Sequence, residues 1–492
     1  MGKRKAGWKF LSIHRDELKF TIPLFFLYFL SGSFYTVGQI YSESLFLKAY
    51  GAQGLSRFFI YNGASLILCG IFYNLFMLRL TLRRGYLLLV GVFTALIVAS
   101  RAIDPREAPW LPFALYLGNY LCTFFLDLHF FNFIFQYLDL RNSKRIVPFL
   151  MGGGKFGGII AGLLFFSLAH RNPADWGLVL WGINGALLFL PLLLLKKVRP
   201  SGGRGTGRAG TGEDASGAGL LKRLEREIRV TYSSSIFSWT VALVFAVSIT
   251  NQISEYYFMS VFNQAFPTQN ELASFLGVYT FCADLLTLGL QLFAVSRFIK
   301  LAGVPVANGI YPASFIGIMV FFITFPAVTA GVLLRFFRKN LSLLIRTPVF
   351  NIIMAASPRD RLAEVKSFIN GIVSPLGMVA GGVLIHFIFR SLDAFQGYAL
   401  TLTVGFCAMA CALGQNRAYM RSLRGHLSTA LPPPGLSASG GVVDTVSLED
   451  DPDGAYLNIT EALFTGSPGL DLAELLLPHF RSLSPETREK VP

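Results

Sequence analysis

The sequence predicts an all-α polytopic membrane protein: about twelve transmembrane helices in two pseudo-symmetric six-helix bundles. Three observations carry this. The 492-residue chain is 53% hydrophobic and only 14% charged, where a soluble domain carries roughly 25% charged residues. Apolar stretches of about twenty residues, enough to cross the hydrocarbon as a helix, recur along most of its length. The second half also repeats segments of the first at a fixed offset.

The basic N-terminus, Met1 to Lys9, opens a cytoplasmic segment over 1–19. The stretch 20–42 is too long and too aromatic for a cleavable signal, and no small-residue cleavage site follows, so it reads as the first span. The next five spans are expected at 54–78, 84–103, 110–138, 146–169 and 175–196, closing an N-terminal bundle over 20–197. A linker follows at 198–235. Ser201 to Gly219 is Gly-rich and flexible. Leu221, Leu224 and Ile228 then recur at helical spacing among Lys222, Arg223, Arg226 and Arg229, which predicts a short amphipathic helix on the cytoplasmic membrane surface. The C-terminal bundle, 236–415, holds spans at 236–262, 271–299, 304–325, 327–356, 363–389 and 394–415. A polar tail, 416–492, begins beyond it. Pro432–Pro434 opens a linker there, and short amphipathic pieces, clearest at Leu472, Leu475, Leu476 and Phe480, read as a docking segment or a remnant of a helical-repeat module.

Net charge is +15, and it is laid out by loop. Arg79, Arg83 and Arg84, then Arg141, Lys144 and Arg145, then Lys196, Lys197 and Arg199, mark one side. Arg297 and Lys300, Arg359 and Arg361, and Arg417, Arg421 and Arg424 continue that series. The alternate loops hold single cations (Lys48, Arg106, Arg171, Arg390) or none. The positive-inside rule therefore puts both termini in the cytoplasm, which an even number of spans permits. The five cysteines all lie in apolar runs with no Cys/His cluster, which argues against a metal site or a disulfide framework.

A shift of 219 residues aligns Phe149–Gly162 with Phe368–Gly381 without gaps. Phe149/Phe368, Gly152/Gly371, Gly158/Gly377, Ala161/Ala380 and Gly162/Gly381 match, and Phe131-Asn132 falls on Phe350-Asn351. Spans four and five thus repeat as ten and eleven. Six plus six parallel spans around a long cytoplasmic linker describe the major-facilitator architecture. The shared glycines serve either close helix packing or direct substrate contact.

Ionisable groups near mid-membrane cost roughly 2.5–3.5 kcal/mol each on insertion scales, so they face a cavity or a partner. In span ten, Arg335, Arg338, Lys339, Ser342 and Arg346 form one polar stripe at helical spacing. Acids of other helices could neutralise it, or it could bind a polyanionic substrate through arginine forks. Lys155 in span five is a further cavity cation. Its Gly152-Gly153-Gly154-Lys155 context is no phosphate loop, since Phe156 replaces the Ser/Thr and no strand precedes it. Asp127 and Asp284 are the deep acids, suited to charge pairing or to proton coupling; Asp127 heads a series with His129, Asn132 and Gln136. Glu43 and Glu255 occupy comparable places near the outer ends of spans one and seven. They are either solvated helix ends or an outer gate paired with Lys48 or another cation. No nucleophile–base set, metal cluster or phosphate loop points to an enzyme or a cofactor.

The stretch Tyr137 to Gly162 resembles the span four to five region of the ATP/ADP translocase family, the nucleotide transporters of plastids and intracellular bacteria with their broader bacterial relatives. The region after Glu271 with Gln291-Leu292-Phe293, and Lys366-Ser-Phe-Ile-Asn-Gly371, are similar to that group too. The resemblance implies a major-facilitator-like carrier in a bacterial inner membrane, exchanging or importing an organic anion of nucleotide class (ATP/ADP-type antiport) by alternating access. Lys155, Arg335, Arg338, Lys339, Arg346, Asn132 and Asn351 are the expected substrate-binding residues, Asp127 and Asp284 the coupling or pairing acids, and Glu43 and Glu255 the gate. The expected partners are that solute and the lipid bilayer, with no nucleic acid and no cofactor. The alternative is a non-transporting membrane scaffold or receptor-like relative whose cytoplasmic tail docks a partner.

Overall fold

A computed structural model describes residues 18–77, 81–103, 107–134, 140–168, 173–195, 217–232, 234–355 and 362–430, apart from some side chains inside them. The basic N-terminus, Arg79, Arg106, Gln136, Arg171, the linker from Lys196 to Ser216, Arg359, Arg361 and residues 431–492 lie outside the described residues. So do the side chains of Asn132, Arg141, Lys144, Arg145, Lys222, Arg223, Arg390 and Arg424.

The described residues form helices throughout. In order these are α1 (Leu18–Tyr50), α2 (Gly54–Met77), α3 (Leu82–Ser100), α4 (Leu111–Ile134), α5 (Leu140–Ser167), α6 (Pro173–Leu187), α7 (Phe189–Leu194), α8 (Gly217–Tyr232) and α9 (Ser235–Ala265). They continue as α10 (Gln269–Phe293), α11 (Val295–Ala302), α12 (Val304–Thr324), α13 (Val328–Phe336), α14 (Thr347–Ala355), α15 (Leu362–Phe368), α16 (Ser374–Ser391) and α17 (Ala394–Ala430). Phe337–Arg346 joins α13 to α14 as a π-helical stretch, and Ile369–Val373 joins α15 to α16 the same way. Ten of the described helical segments are long and apolar enough to cross a membrane. The run from α13 to α14 exceeds that length too, but Arg335, Arg338, Lys339 and Arg346 interrupt its apolar character.

Local chemistry sets the boundaries. Gly51 takes φ +65° and closes α1 by donating its N–H to the Leu47 carbonyl at 3.0 Å, a left-handed cap that a side chain would strain. Thr268 and Glu271 form a reciprocal capping box at the start of α10. The last helix continues to Ala430, fifteen residues past the expected end of the span, because no helix breaker intervenes before Pro432.

The two halves pack through two equivalent helix pairs, α5 on α10 and α2 on α16. Glycines allow the approach. A Cβ on Gly162 would stand 2.7 Å from the Phe281 nitrogen, and one on Gly63 2.6 Å from the Pro375 carbonyl oxygen. Gly158 is held against Asp284, 2.6 Å from where its Cβ would sit. Its repeat partner Gly377 instead abuts Ser248 of α9, within its own half. Of the repeated glycines, Gly158, Gly162, Gly377 and Gly381 are close packing contacts, whereas Gly152 and Gly371 have open space where a Cβ would sit.

α8 forms where amphipathic spacing predicted it. It packs on α15 and α9, with Arg226 ion-paired to Glu364 and Thr231 buried. Its described side chains therefore meet protein as well as the surface it was expected to lie on.

Candidate functional site

Define the near end as the one where α1 begins, and the far end as the one where α1 turns into α2. A cavity of about 770 Å³ lies between the halves. α1, α2, α4 and α5 line one side; α9, α10, the π-helical stretch after α13, and α16 line the other.

Toward the far end, charged groups that no helix surface could carry into lipid are buried against each other. Glu43 of α1 and Glu255 of α9 are each 1% exposed. Glu43 takes both terminal nitrogens of Arg335, which is itself 3% exposed and flanked by the rings of Phe258 and Tyr279 at 5.3 and 5.1 Å. Glu255 is ion-paired with Arg338, and its other oxygen accepts from Tyr116 at 2.7 Å and Tyr120 at 2.9 Å. Lys48 donates to the Asn263 side chain at 2.9 Å and to its carbonyl at 3.0 Å. Several of these bonds join the first half to the second. They are ordered by the internal repeat: the 219-residue shift places Tyr116 on Arg335 and Tyr120 on Lys339. The carboxylate of each half's first span thus meets the fourth span of the other half, through a guanidinium in one case and phenols in the other.

This revises two expectations. Glu43 and Glu255 are not solvated helix ends; they are paired, and their cations come from span ten while Lys48 goes to Asn263. Arg335 does not face the cavity. Arg335 belongs to the regular helix α13, ahead of the π-helical stretch that carries Arg338, Lys339 and Arg346, where i→i+5 bonding such as Thr347 N–H to the Ser342 carbonyl departs from the 3.6-residue period assumed for a single stripe. Arg335 is taken up by the far-end pair, Arg338 and Lys339 line the central cavity, and Arg346 lines a second, smaller one.

On the cavity wall, Lys155 of α5 donates to Asp284 of α10 at 2.8 Å, another bond between halves. Asn340 supports it, donating to Asp284 at 3.3 Å and to the Thr287 hydroxyl at 2.6 Å. Lys339 donates to the Gln39 side-chain oxygen at 3.1 Å; among the described residues no carboxylate lies within 4 Å of it. Asp127 faces the cavity beside the phenols of Tyr28 and Tyr35. Its Oδ1 is buried and has no hydrogen-bond partner among the described residues. Asp284 is thus paired with a cation, whereas Asp127, among the described residues, meets only phenols.

His129 leaves the series expected with Asp127. It is fully buried, with Nδ1 2.6 Å from the Tyr73 hydroxyl, because positions two apart on a helix face different ways. Asn351 lies by the second cavity and accepts from Lys366 at 3.3 Å. Sequence reasoning missed Tyr116, Tyr120, Asn340 and Lys366. The two tyrosines were within reach, since the shift that matched Phe131 with Phe350 lands on them as well. Among the described residues no group of His, Cys, Asp or Glu could hold a metal.

No protein-family model matches the chain, and no curated protein does. Solved structures do. A bacterial homologue of the human lysosomal transporter Spinster, inward-facing and unoccupied, gives a TM-score of 0.57 at 14% identity, covering 84% of this chain and 99% of that one. A POT family transporter in complex with a thioalcohol-conjugated peptide gives 0.56 at 13% identity over 80% and 94%. A mutant of the nucleoside transporter NupG gives 0.51 at 13% identity over 82% and 99%. At such identities the likeness bears on the fold, and the fold is the all-α polytopic major-facilitator type.

Proposed function

We propose that this chain is a secondary carrier that moves an organic anion of nucleotide class across a membrane by alternating access of its two halves. The observation that carries the reading is Lys339. It is a cation on the wall of an inter-half cavity, hydrogen-bonded to an amide, and it shares the single carboxylate of Asp284 with Lys155, which leaves one positive charge in excess. A buried ammonium of that kind is incomplete without an anion.

The pairing elsewhere narrows the cargo. Arg335, Arg338 and Lys155 each hold a carboxylate, so they are not free to grip a polyanion. Tyr28, Tyr35, Tyr120, Phe124 and Phe131 line the same cavity as Lys339, an aromatic wall suited to a ring system. A cavity of about 770 Å³ suits a solute carrying one ring system and a compact anionic group. With the basic loops in the cytoplasm, the closed far end is the outside and the cavity faces in. The pairs Glu43–Arg335 and Lys155–Asp284 join the halves and must separate when access alternates. The named transporters of similar fold, among them one for nucleosides and one for peptide conjugates, agree with a carrier and leave the cargo to the site.

One observation favours a second reading, in which uptake is proton-coupled. Asp127 faces the same cavity with no cation paired to it among the described residues, and such an acid can load and release a proton.

Purified protein in proteoliposomes tests both. Saturable uptake of labelled ATP, ADP or AMP, driven by unlabelled nucleotide inside, is the expected result, reduced at least tenfold in Lys339→Gln. Asp127→Asn should leave that exchange intact and remove any accumulation driven by an imposed proton gradient. Absence of exchange with every nucleotide and organic anion tried, or wild-type exchange in Lys339→Gln, would count against the carrier reading and favour a scaffold.

A further inference from the structure

The geometry points to a second anion site, at the near-end mouth of the central cavity, built for an oxyanion of the phosphate class. A cavity of about 340 Å³ is lined by Arg346, Thr347, Asn351, Lys366, Asn370 and Ser374, closed on its apolar side by residues such as Phe350. Asn370 and Ser374 also line the central cavity, so the two spaces share a wall.

The electrostatics are one-sided. Two cations face this space, and among the described residues its lining contains no Asp or Glu. Among the described residues neither cation has a carboxylate within 4 Å. Arg346 holds its guanidinium carbon 5.8 Å from the centroid of the Tyr311 ring, a cation–π contact, and among the described residues its nitrogens meet no anion. The Lys366 ammonium donates to Asn351 Oδ1 at 3.3 Å. That bond uses the acceptor of the Asn351 amide and leaves its NH2 as a donor. Thr347 gives its hydroxyl proton to the Ser342 carbonyl at 3.1 Å. The donors left over are a guanidinium fork, an ammonium and an amide, the set that matches a tetrahedral oxyanion. Two lining residues lie in the π-helical stretches: Arg346 ends one, and Asn370 lies within the other, Ile369–Val373.

The site's role as an entrance station rests on the carrier reading above; its preference for a phosphate-class anion rests on the cavity alone. The ligand could be the phosphate of a soluble solute or the headgroup of an anionic lipid at the membrane surface, and the test separates them.

Equilibrium dialysis of radiolabelled pyrophosphate against purified full-length protein, in nanodiscs of neutral phosphatidylcholine, measures bound anion per chain. Arg346→Gln and Lys366→Gln, on different helices so that a folding defect in one does not void the test, should each lower saturation by one per chain. An unchanged number in both overturns the inference. Lys339→Gln reports on the central cavity instead: loss there with none in Arg346→Gln leaves the carrier reading standing and this one refuted, and the reverse pattern does the opposite. In nanodiscs containing phosphatidylglycerol, a fall in pyrophosphate binding that needs Arg346 identifies lipid as the occupant of the same site. Binding that is indifferent to lipid composition identifies the soluble anion.

Discussion

Glu43→Gln is the sharpest perturbation of the far-end closure. The substitution keeps shape and removes one charge, leaving Arg335 ionised and 3% exposed with its partner gone. Breaking a buried pair in this way costs about 3–5 kcal/mol, since the remaining charge has neither water nor counter-ion. The pair exists only while α1 and α13 are together at the far end, so the cost falls on the closed arrangement. At about 1.4 kcal/mol per tenfold, the closed-to-open ratio should fall by roughly two to three and a half powers of ten. Spin labels at Gln53 and Gln264, exposed positions at the far end of each half, would read this in a background lacking the native cysteines. Wild type should give a short distance and Glu43→Gln a longer, broader one. Arg335→Gln should behave alike, since it strands Glu43. The double variant should recover much of the loss, because two amides leave no orphan charge; the cycle should show a coupling of at least about 2 kcal/mol. Wild-type distances and melting temperature in both single variants, or a strictly additive double variant, would refute the reasoning.

Three further outcomes follow from the same structure. Lys155→Gln and Asp284→Asn should each lower the melting temperature more than the double variant does, by a destabilisation of about 2–4 kcal/mol per single change, because the 2.8 Å pair is largely buried. Gly158→Ala and Gly162→Ala should destabilise by about 1–3 kcal/mol, as the added methyl meets Asp284 in one case and the α10 backbone in the other; Gly152→Ala, with open space around it, should be neutral or stabilising in the same thermal assay. Arg226→Ala should change stability by less than about 1 kcal/mol despite losing its Glu364 bond, since the arginine side chain is 71% exposed and the pair is screened by solvent.

The legibility of the site in the sequence varied by residue. Lys155, Asp284, Arg338 and Lys339 could be picked out one at a time, because an ionisable group deep in an apolar run is conspicuous on energetic grounds alone. Their pairing could not. Lys155 and Asp284 are 129 positions apart and Glu43 and Arg335 are 292 apart, and no local pattern says which acid meets which cation. Tyr116 and Tyr120 are indistinguishable in sequence from the other aromatics of an apolar helix; only packing sets their hydroxyls on Glu255. Lys366 was noted only within a motif. Its part in a cationic hollow depends on the packing that sets it beside Asn351 and across from Arg346, fifteen and twenty positions away.

The sequence by itself determined the solvent of this protein, its helical fold class and its internal duplication. Apolar length and loop charge are properties of consecutive residues, and a lipid environment admits few other structures. Tertiary structure alone decided which charges neutralise one another and which remain open. Stripe geometry from an ideal 3.6-residue period put Arg335 and Arg338 in one cavity; the packing of the two halves gave Arg335 to Glu43 and left Lys339 facing the space between. Electrostatic pairing depends on separations of a few ångströms between distant parts of the chain, and those distances exist only once the helices are packed.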